Sequence, residues 1–340
     1  MIGGMADGIN MASKLTWIRM QNAARILRSY HASRFSKYPR IKGLPISLSL
    51  EPTTSCNLRC PECPSGLRAF SRPTGMLDHR LFQKVIDELH STLLYLTFYF
   101  QGEPYLNPSF LDMVEYASSH GIYTATSTNA HFLTGEVAHR TVTSGLDRLI
   151  ISIDGTTQDS YQAYRIGGSL QKVLDGTNNM VAAKRELRSN TPHVVFQFLV
   201  VRPNEHQVRD VHKLARELGV DQVVLKTAQI YNYKNGSPLI PSDARYSRYG
   251  KNIDGSWSIK NHLFNHCWKM WHSCVITWDG KVVPCCFDKD AEFVLGDLKS
   301  SSFTAIWNGQ KYTDFRRSLL HSRGEIEMCR NCTEGGRVFA

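Results

Sequence analysis

The sequence of 340 residues lacks any uninterrupted apolar run close to the roughly 20 residues that a membrane-spanning helix requires. It also lacks, near its N-terminus, the compact apolar stretch ending in small residues that marks a secretory signal. These two absences favour a cytoplasmic protein. Because 42% of its residues are hydrophobic, the chain has enough apolar material for one barrel-sized domain and a smaller one.

Acidic residues are absent from one long segment. Residues 11–50 contain no Asp or Glu, and their eight basic residues nearly account for the net charge of +10: Lys14, Arg19, Arg25, Arg28, Arg34, Lys37, Arg40 and Lys42. The same segment contains the apolar residues Leu15, Trp17, Ile18, Met20, Ile26, Leu27, Tyr30 and Phe35. We therefore predict that residues 1–44 form a basic, helical extension.

Three interpretations of this extension remain open at the level of sequence. It packs on the rest of the protein through its apolar residues, it makes a peripheral contact with an anionic membrane surface, or it binds an acidic partner. Nucleic acid is not expected as a partner, because no known nucleic-acid-binding motif accompanies the charge.

The nine cysteines are odd in number and occur in three groups: Cys56, Cys60 and Cys63; Cys267, Cys274, Cys285 and Cys286; Cys329 and Cys332. Disulfide frameworks are typical of short secreted domains, whereas closely spaced cysteines in a larger chain without a secretory signal favour metal binding. We therefore expect metal sites rather than structural disulfides.

From residue 45 onward, apolar runs typical of β-strands alternate with amphipathic segments typical of helices. The six strands are predicted at 46–50, 94–100, 122–127, 148–154, 194–200 and 222–227. Such alternation forms a parallel sheet with helices on its outer face, and a closed barrel would need about eight units. The predicted fold class is α/β, a partial (β/α)6 TIM-like barrel over residues 45–235, followed by a small cysteine-rich domain over residues 236–340.

The first cysteine group, in the stretch CNLRCPECPSG, follows the first predicted strand and lies at the end of the barrel where active sites occur. Three thiolates on one loop leave one iron of a cubane iron–sulfur cluster open to an exogenous ligand. Structural zinc is disfavoured here, because no further Cys or His lies within fifteen residues of the motif.

The spacing Cys56-x3-Cys60-x2-Cys63 after a first strand resembles the radical S-adenosylmethionine (radical SAM) superfamily. The resemblance implies a [4Fe–4S] cluster whose open iron binds S-adenosylmethionine, and reductive cleavage of that cosubstrate to a 5′-deoxyadenosyl radical that abstracts a substrate hydrogen. It extends to the stretch FYFQGEP at 98–104, which is similar to the family's GGE motif, although Gln101 replaces the first glycine.

Further positions are expected to bind the cosubstrate. Gln101, Gly102 and Glu103 are suited to accept hydrogen bonds from its ammonium group. Arg165 resembles the arginine that pairs with its carboxylate in related enzymes, and three polar residues at strand ends are expected near the ribose: Asn129, Ser152 and Asp154. One departure is Glu62, which occupies a position where many family members have an aromatic residue near the adenine.

The C-terminal cysteines resemble the SPASM and twitch domains that hold auxiliary iron–sulfur clusters. The pattern is Cys267, twelve residues, Gly280, four residues and Cys285, with a later Cys-x2-Cys pair. This implies one auxiliary [4Fe–4S] cluster bound by Cys267, Cys285, Cys329 and Cys332. Cys286 remains an alternative to Cys285, and zinc remains an alternative to the cluster because four thiolates also suit zinc.

The sequence as a whole therefore predicts a radical SAM enzyme in which the auxiliary cluster oxidises a substrate radical, with flavodoxin or ferredoxin as reductant. A small polyol, a sugar-like or a surface-carried substrate is expected, because no strand-containing leader-recognition module precedes residue 45. Two alternatives remain: a radical SAM maturase of peptides or proteins, and a non-enzymatic iron–sulfur or zinc protein. No residue is identified as a general base.

Overall fold

The structure is a computed structural model that describes residues 2–335. Met1 and residues 336–340, the outer ends of the predicted N-terminal extension and C-terminal domain, lie outside the described residues. The strands are β1 (Ser47–Leu50), β2 (Tyr95–Phe98), β3 (Tyr123–Thr128), β4 (Arg148–Ser152), β5 (His193–Val200), β6 (Gln222–Thr227), β7 (Tyr249–Lys251), β8 (Trp257–Ile259), β9 (Ser273–Ile276), β10 (Lys281–Val283) and β11 (Gly296–Asp297).

The helices precede, separate and follow these strands. They are α1 (Ile2–Ser13), α2 (Trp17–Ser36), α3 (Pro64–Leu67), α4 (His79–Leu89), α5 (Phe110–Ser119), α6 (Gly135–Thr143), α7 (Gln158–Tyr164), α8 (Leu170–Glu186), α9 (Val208–Leu218), α10 (Lys269–His272), α11 (Phe303–Trp307), α12 (Gln310–Ser322) and α13 (Glu327–Arg330). Short 3-10 helices lie at Pro104–Leu106, Glu205–Gln207, Ala244–Tyr246 and Arg323–Glu325. None of the helices in residues 2–335 is both long and apolar enough to cross a bilayer.

Strands β1 to β6 lie side by side in chain order, and each pairs in parallel with the next. The helices that connect these strands are amphipathic, with an apolar side that is buried. In α4, for example, Asp78 caps the N-terminus and Phe82, Val85, Ile86 and Leu89 form the buried face. The predicted partial (β/α)6 barrel is confirmed, and each of its six strands begins and ends within two residues of the predicted limits.

The sheet continues beyond the barrel into the C-terminal part of the chain. β9 pairs in parallel with β1 on the side away from β2, and β10 and β11 follow it in antiparallel order. One hydrophobic core runs from Ile26 in α2 through the barrel to Cys329 in α13. The segment beyond residue 235 therefore shares the sheet and the core of the barrel.

The N-terminal helices cover the end of the barrel opposite to the cysteine loop. Asp7 of α1 accepts hydrogen bonds from Tyr123 and Arg148, the first residues of β3 and β4. Asn10 donates to Asp147, which directly precedes β4. Because parallel strands begin at a common edge, α1 lies across the N-terminal edge of the sheet.

The packing of α2 differs from the expectation that the extension packs through its apolar residues. Its buried face is mostly polar and consists of Arg19, Asn22, Ile26, Ser29, Tyr30 and Ser33. The Tyr30 hydroxyl and His266 Nδ1 form a hydrogen bond of 2.9 Å, and the Tyr30 ring packs edge-on against Trp268 and Trp271. Of the predicted apolar contacts only Ile26 and Tyr30 are buried, with Leu27 partly buried, and the others face solvent: Leu15, Trp17, Ile18, Met20 and Phe35.

We expect Arg19→Met to destabilise the protein by about 3 kcal/mol, because Arg19 is buried and donates hydrogen bonds to backbone carbonyls of Lys14, His90, His120 and Gly121. Urea unfolding followed by circular dichroism measures the change. Arg25→Met on the exposed side of the same helix is the control. Equal midpoints for the two variants would show that these hydrogen bonds do not hold α2 in place.

Candidate metal centres and active site

The first cysteine group lies on the loop that leaves the C-terminal end of β1. Cys60 is buried and Cys56 and Cys63 are partly buried, and all three pack with Leu58 and Tyr164 in one small hydrophobic cluster. The helix α3 begins directly after Cys63. Gly66 in this helix lies so close to the backbone of Cys60 that a Cβ atom there would approach the Cys60 nitrogen to 2.5 Å. The loop is thus tightly folded around the three thiols.

Each thiol of this loop faces a polar side chain that the sequence predicts to bind the cosubstrate. Asn129 Nδ2 lies 3.9 Å from Cys56 Sγ, and Arg165 Nη1 lies 3.8 Å from Cys60 Sγ. Gln101 Oε1 lies 3.8 Å from Cys63 Sγ. The structure therefore brings together residues from the ends of β2 and β3 and from the segment after α7.

The QGE stretch after β2 is fixed against the cysteine loop by its backbone. Gly102 has a φ of +77°, and a Cβ atom there would lie 2.2 Å from the Thr53 carbonyl oxygen. Its N–H donates to Ser65 Oγ at 2.9 Å, and the N–H of Glu103 donates to the Ser55 carbonyl at 2.8 Å. Only glycine suits this close approach at a positive φ.

Glu103 is buried and held in one orientation. Its carboxylate accepts hydrogen bonds from Thr128 Oγ1 at 2.7 Å and from the N–H of Asn129 at 2.8 Å. Burial raises the pKa of Glu103 to about 7, although these hydrogen bonds oppose the shift. Thr128 also belongs to this site, although it was not among the predicted site residues. Its position within the STNA stretch, from which Asn129 was predicted, could have indicated it.

The buried Asp154 forms an ion pair with Arg165, which is partly buried. Arg165 Nε donates to Asp154 Oδ2 at 2.5 Å, and the other oxygen of Asp154 accepts from the N–H of Leu199 at 2.7 Å. Both carboxylate oxygens of Asp154 are therefore occupied, and this residue orients Arg165. Ser152, the last residue of β4, is buried and lies 3.4 Å from Ser127 through their hydroxyl oxygens.

Glu62 has a structural role that explains its place within the cysteine motif. Its carboxylate accepts a hydrogen bond from the N–H of Tyr231 at 2.9 Å. The ring of Tyr231 in turn lies 4.7 Å from the ammonium group of Lys289. Glu62 thus connects the cysteine loop to the segment after β6 and to a cation from the C-terminal part of the chain.

The second cysteine set surrounds a cavity beside β9. Cys267, Cys285, Cys329 and Cys332 line this cavity together with Arg323. Arg323 is buried and donates to the carbonyls of His266 and Glu334, and its Nη2 lies 3.6 Å from Cys332 Sγ. No sequence pattern indicates Arg323, because its contacts depend on the folded position of α12.

The two remaining cysteines differ in their surroundings. Cys274 lies in β9, buried and paired in register with Leu48 of β1. Cys286 is exposed, and Lys269 Nζ lies 3.9 Å from its sulfur while also forming an ion pair with Glu334. Lys289 lies within electrostatic reach of both Cys63 and Cys286. Lys289 is therefore close to a cysteine of each group, whereas Lys269 is close to the C-terminal group.

The donor atoms suit iron–sulfur clusters, whose usual ligands are cysteine thiolates. Within residues 2–335 no three Cys, His, Asp or Glu side chains converge on a point that one metal ion would occupy. Thiols spread around a space of this kind suit a polynuclear cluster, which has separate corners to bind. One loop offers three thiols and the cavity beside β9 offers four.

Family models match both parts of the chain. The radical SAM superfamily matches residues 50–215, and SPASM, described as an iron–sulfur cluster-binding domain, matches residues 267–333. The chain is 31% identical over 331 residues to the mycofactocin maturase MftC of Mycobacterium tuberculosis, covering 89% of this chain and 82% of the relative.

Two further relatives are more distant. The tungsten-containing aldehyde ferredoxin oxidoreductase cofactor-modifying protein of Pyrococcus furiosus is 25% identical over 309 residues, which cover 79% of this chain and 82% of the relative. The PqqA peptide cyclase of Gluconobacter oxydans is 24% identical over 282 residues, which cover 78% and 76%.

Solved structures share the fold. SuiB of Streptococcus suis bound to S-adenosylmethionine superposes with a TM-score of 0.64 at 12% identity, covering 92% of this chain and 77% of that chain. BtrN in complex with AdoMet and 2-DOIA superposes with a TM-score of 0.53 at 18% identity, covering 88% and 96%. At such identities the likeness concerns the fold alone.

We expect Cys285→Ala to lower the iron content of the reconstituted protein by about four atoms per chain, because Cys285 lines the cavity with three other thiols. Cys286→Ala is the matched control, since Cys286 is the neighbouring residue but is exposed. Iron and sulfide analysis measures both variants. Loss of iron in Cys286→Ala with full retention in Cys285→Ala would reverse the assignment of the ligand.

Proposed function

The chain belongs to the radical SAM superfamily and carries a C-terminal SPASM domain, and we propose that this enzyme is a maturase that modifies a ribosomally made peptide or protein. The observation that carries the proposal is the similarity, over 78% or more of this chain, to relatives described as a mycofactocin maturase and a PqqA peptide cyclase. The superfamily uses a [4Fe–4S] cluster and S-adenosylmethionine, and the SPASM domain binds iron–sulfur clusters.

In this proposal Cys56, Cys60 and Cys63 hold the catalytic cluster. When bound and reduced, the cluster supplies the electron that cleaves S-adenosylmethionine to the 5′-deoxyadenosyl radical. Glu103 is placed to accept hydrogen bonds from the ammonium group of S-adenosylmethionine, assisted by Gln101 and by the backbone at Gly102. The fixed orientation of Glu103 supports this role, because Thr128 and Asn129 hold its carboxylate beside the cysteine loop.

Arg165 is proposed to bind the carboxylate of S-adenosylmethionine. Its Nε is held by Asp154 and its Nη1 faces Cys60, while its Nη2 has no hydrogen-bond partner in the part of the chain that the structure describes. A planar guanidinium with a free edge next to the cluster suits a carboxylate ligand. Asp154 is a positioning residue for Arg165, and Asn129 and Ser152 remain candidates for hydrogen bonds to the ribose.

Cys267, Cys285, Cys329 and Cys332 are proposed to hold the auxiliary cluster. Four thiolates saturate a cubane cluster, which favours electron transfer over direct binding of substrate. The substrate is proposed to lie between the two cysteine groups. Lys269 and Lys289 flank this space, and Tyr99 follows β2 toward it with a partly exposed ring.

The peptide substrate replaces the small polyol or sugar-like substrate that the sequence analysis favoured. That preference rested on the absence of a strand-containing module before residue 45. Residues 2–46 contain helices and no strand among the described residues, and two relatives that cover most of the chain are described as a maturase and as a peptide cyclase. The small-molecule substrate is retained as an outcome of the test below.

We expect Arg165→Lys to weaken the binding of S-adenosylmethionine by about tenfold to a hundredfold, because an ammonium group lacks the planar edge that pairs with a carboxylate. Equilibrium dialysis with radiolabelled S-adenosylmethionine measures the affinity of the reconstituted protein, and iron analysis verifies that the cluster is intact. Arg209→Lys, an exposed arginine on α9, is the control. Unchanged affinity in Arg165→Lys at full iron content would exclude the proposed contact.

The function itself is tested by anaerobic reconstitution and reduction in the presence of S-adenosylmethionine and of short peptides encoded beside the gene. We expect 5′-deoxyadenosine to form in proportion to a mass change in one peptide, and Cys56→Ala to abolish both. Turnover with a polyol or sugar extract but with none of the peptides would favour the small-molecule alternative. Metal binding without any cleavage of S-adenosylmethionine by the wild type would contradict the enzymatic assignment.

A further inference from the structure

The N-terminal helices expose apolar side chains on the surface that faces away from the barrel. Large exposed apolar residues concentrate in this part of the protein: Met5, Ile9, Met11, Leu15, Trp17, Ile18, Met20, Phe35 and Tyr38. Single exposed apolar residues are ordinary, but a concentration of large ones in one part of a protein indicates a site of interaction.

The two most exposed apolar residues of α1, Met5 and Ile9, lie on one side of the helix. At 3.6 residues per turn, Met5 and Ile9 fall nearly opposite to Asp7 and Asn10, the residues that contact the barrel. Met5 and Ile9 are 69% and 65% exposed. The apolar side of α1 thus points outward, while its polar side binds the N-terminal edge of the sheet.

The exposed residues of α2 follow the same arrangement. Its buried face includes Arg19 and Ile26, and the helical spacing places Trp17, Arg28 and Phe35 on the opposite side. Trp17 is 69% exposed and Phe35 is 94% exposed. At a rise of about 1.5 Å per residue, these two rings lie about 27 Å apart along the helix, with basic residues between them.

The charge on this surface has one sign. The acidic residue of α1, Asp7, is turned inward onto Arg148, and the next acidic residue in the sequence, Glu51, is buried against Arg72. By contrast, Arg25, Arg28 and other basic residues of α2 are exposed. Aromatic rings interspersed with arginines on the outer side of a helix suit an anionic lipid surface.

We propose that the outer face of α1 and α2, defined by Met5, Ile9, Trp17, Arg25, Arg28 and Phe35, rests on the anionic surface of a lipid bilayer. The apolar side chains enter the headgroup region, and the arginines contact lipid phosphates. The helices lie on the membrane and do not cross it. This proposal goes beyond the proposed function and does not depend on the identity of the substrate.

The arrangement has a consequence for the orientation of the enzyme. α1 contacts the N-terminal edge of the sheet through Tyr123 and Arg148, whereas the loop with Cys56 leaves the C-terminal end of β1. These two edges lie at opposite ends of a parallel barrel. A protein docked through α1 and α2 therefore presents its active-site end away from the bilayer, open to a substrate in water.

Vesicle flotation of the full-length reconstituted protein tests the proposal. The probes are vesicles of phosphatidylcholine alone and of phosphatidylcholine mixed with phosphatidylglycerol. We expect the wild type to float with the mixed vesicles only, and to be released by high salt because exposed charges are screened. Trp17→Ser with Phe35→Ser, and separately Arg25→Gln with Arg28→Gln, are expected to lower the partition coefficient by about tenfold or more.

The matched control is Ile253→Ser with Lys251→Gln, which removes one exposed apolar residue and one exposed cation from the β7–β8 hairpin. It is expected to float like the wild type. Circular dichroism and iron content of each variant verify that the fold is intact. Three results would overturn the proposal: equal flotation of the wild type with both kinds of vesicle, no flotation of the wild type, or the same loss of flotation in the control variant. If the wild type does not float at all, an acidic protein becomes the partner to test.

Discussion

The position of β1 between β2 and β9 is the constraint on which both cysteine groups depend. β1 pairs in parallel with each neighbour, so the cysteine loop that follows it begins next to the C-terminal segment. Glu51, the first residue after β1, is buried and binds Arg72 through two hydrogen bonds and the N–H of Trp278 through a third. One buried strand and one buried carboxylate therefore fix the two metal-binding regions relative to each other.

Positive charge accompanies the thiols in both regions, and each cation is itself held in place. Arg165 faces Cys60 and is oriented by Asp154, while Lys269 faces Cys286 and pairs with Glu334. Burial raises the pKa of Cys60, and the charge of Arg165 opposes that shift. Thiolates bound to a cluster are stabilised by such cations in a medium of low dielectric constant. Arg165 lies 105 residues from Cys60 along the chain, whereas Lys269 lies 17 residues from Cys286.

In the N-terminal extension, one face of α2 binds the rest of the protein and the opposite face is exposed to solvent. The barrel and the C-terminal segment bind α2 through a mainly polar face, in which Arg19 satisfies carbonyl groups at the beginning of the barrel strands. This leaves Trp17 and Phe35 for the outside. In an amphipathic helix the apolar side normally faces the core. In α2 a mainly polar face packs on the protein instead, because the buried backbone carbonyls there require hydrogen-bond donors.

Local sequence patterns predicted the six barrel strands and the two cysteine groups, but none of the strands and helices after residue 235. Short apolar runs predicted the limits of the six barrel strands to within two residues, because a buried parallel strand needs such a run. The cysteine spacing predicted the two cysteine groups, because ligands that are close in sequence must share a loop. The contacts between side chains that are distant in sequence depend on the folded chain as a whole. In the folded chain Glu62 binds Tyr231, Lys289 lies near a cysteine of each group, β9 pairs with β1, and Trp17 and Phe35 of α2 face outward. These contacts arise between segments that lie far apart along the chain, and no local pattern specifies them.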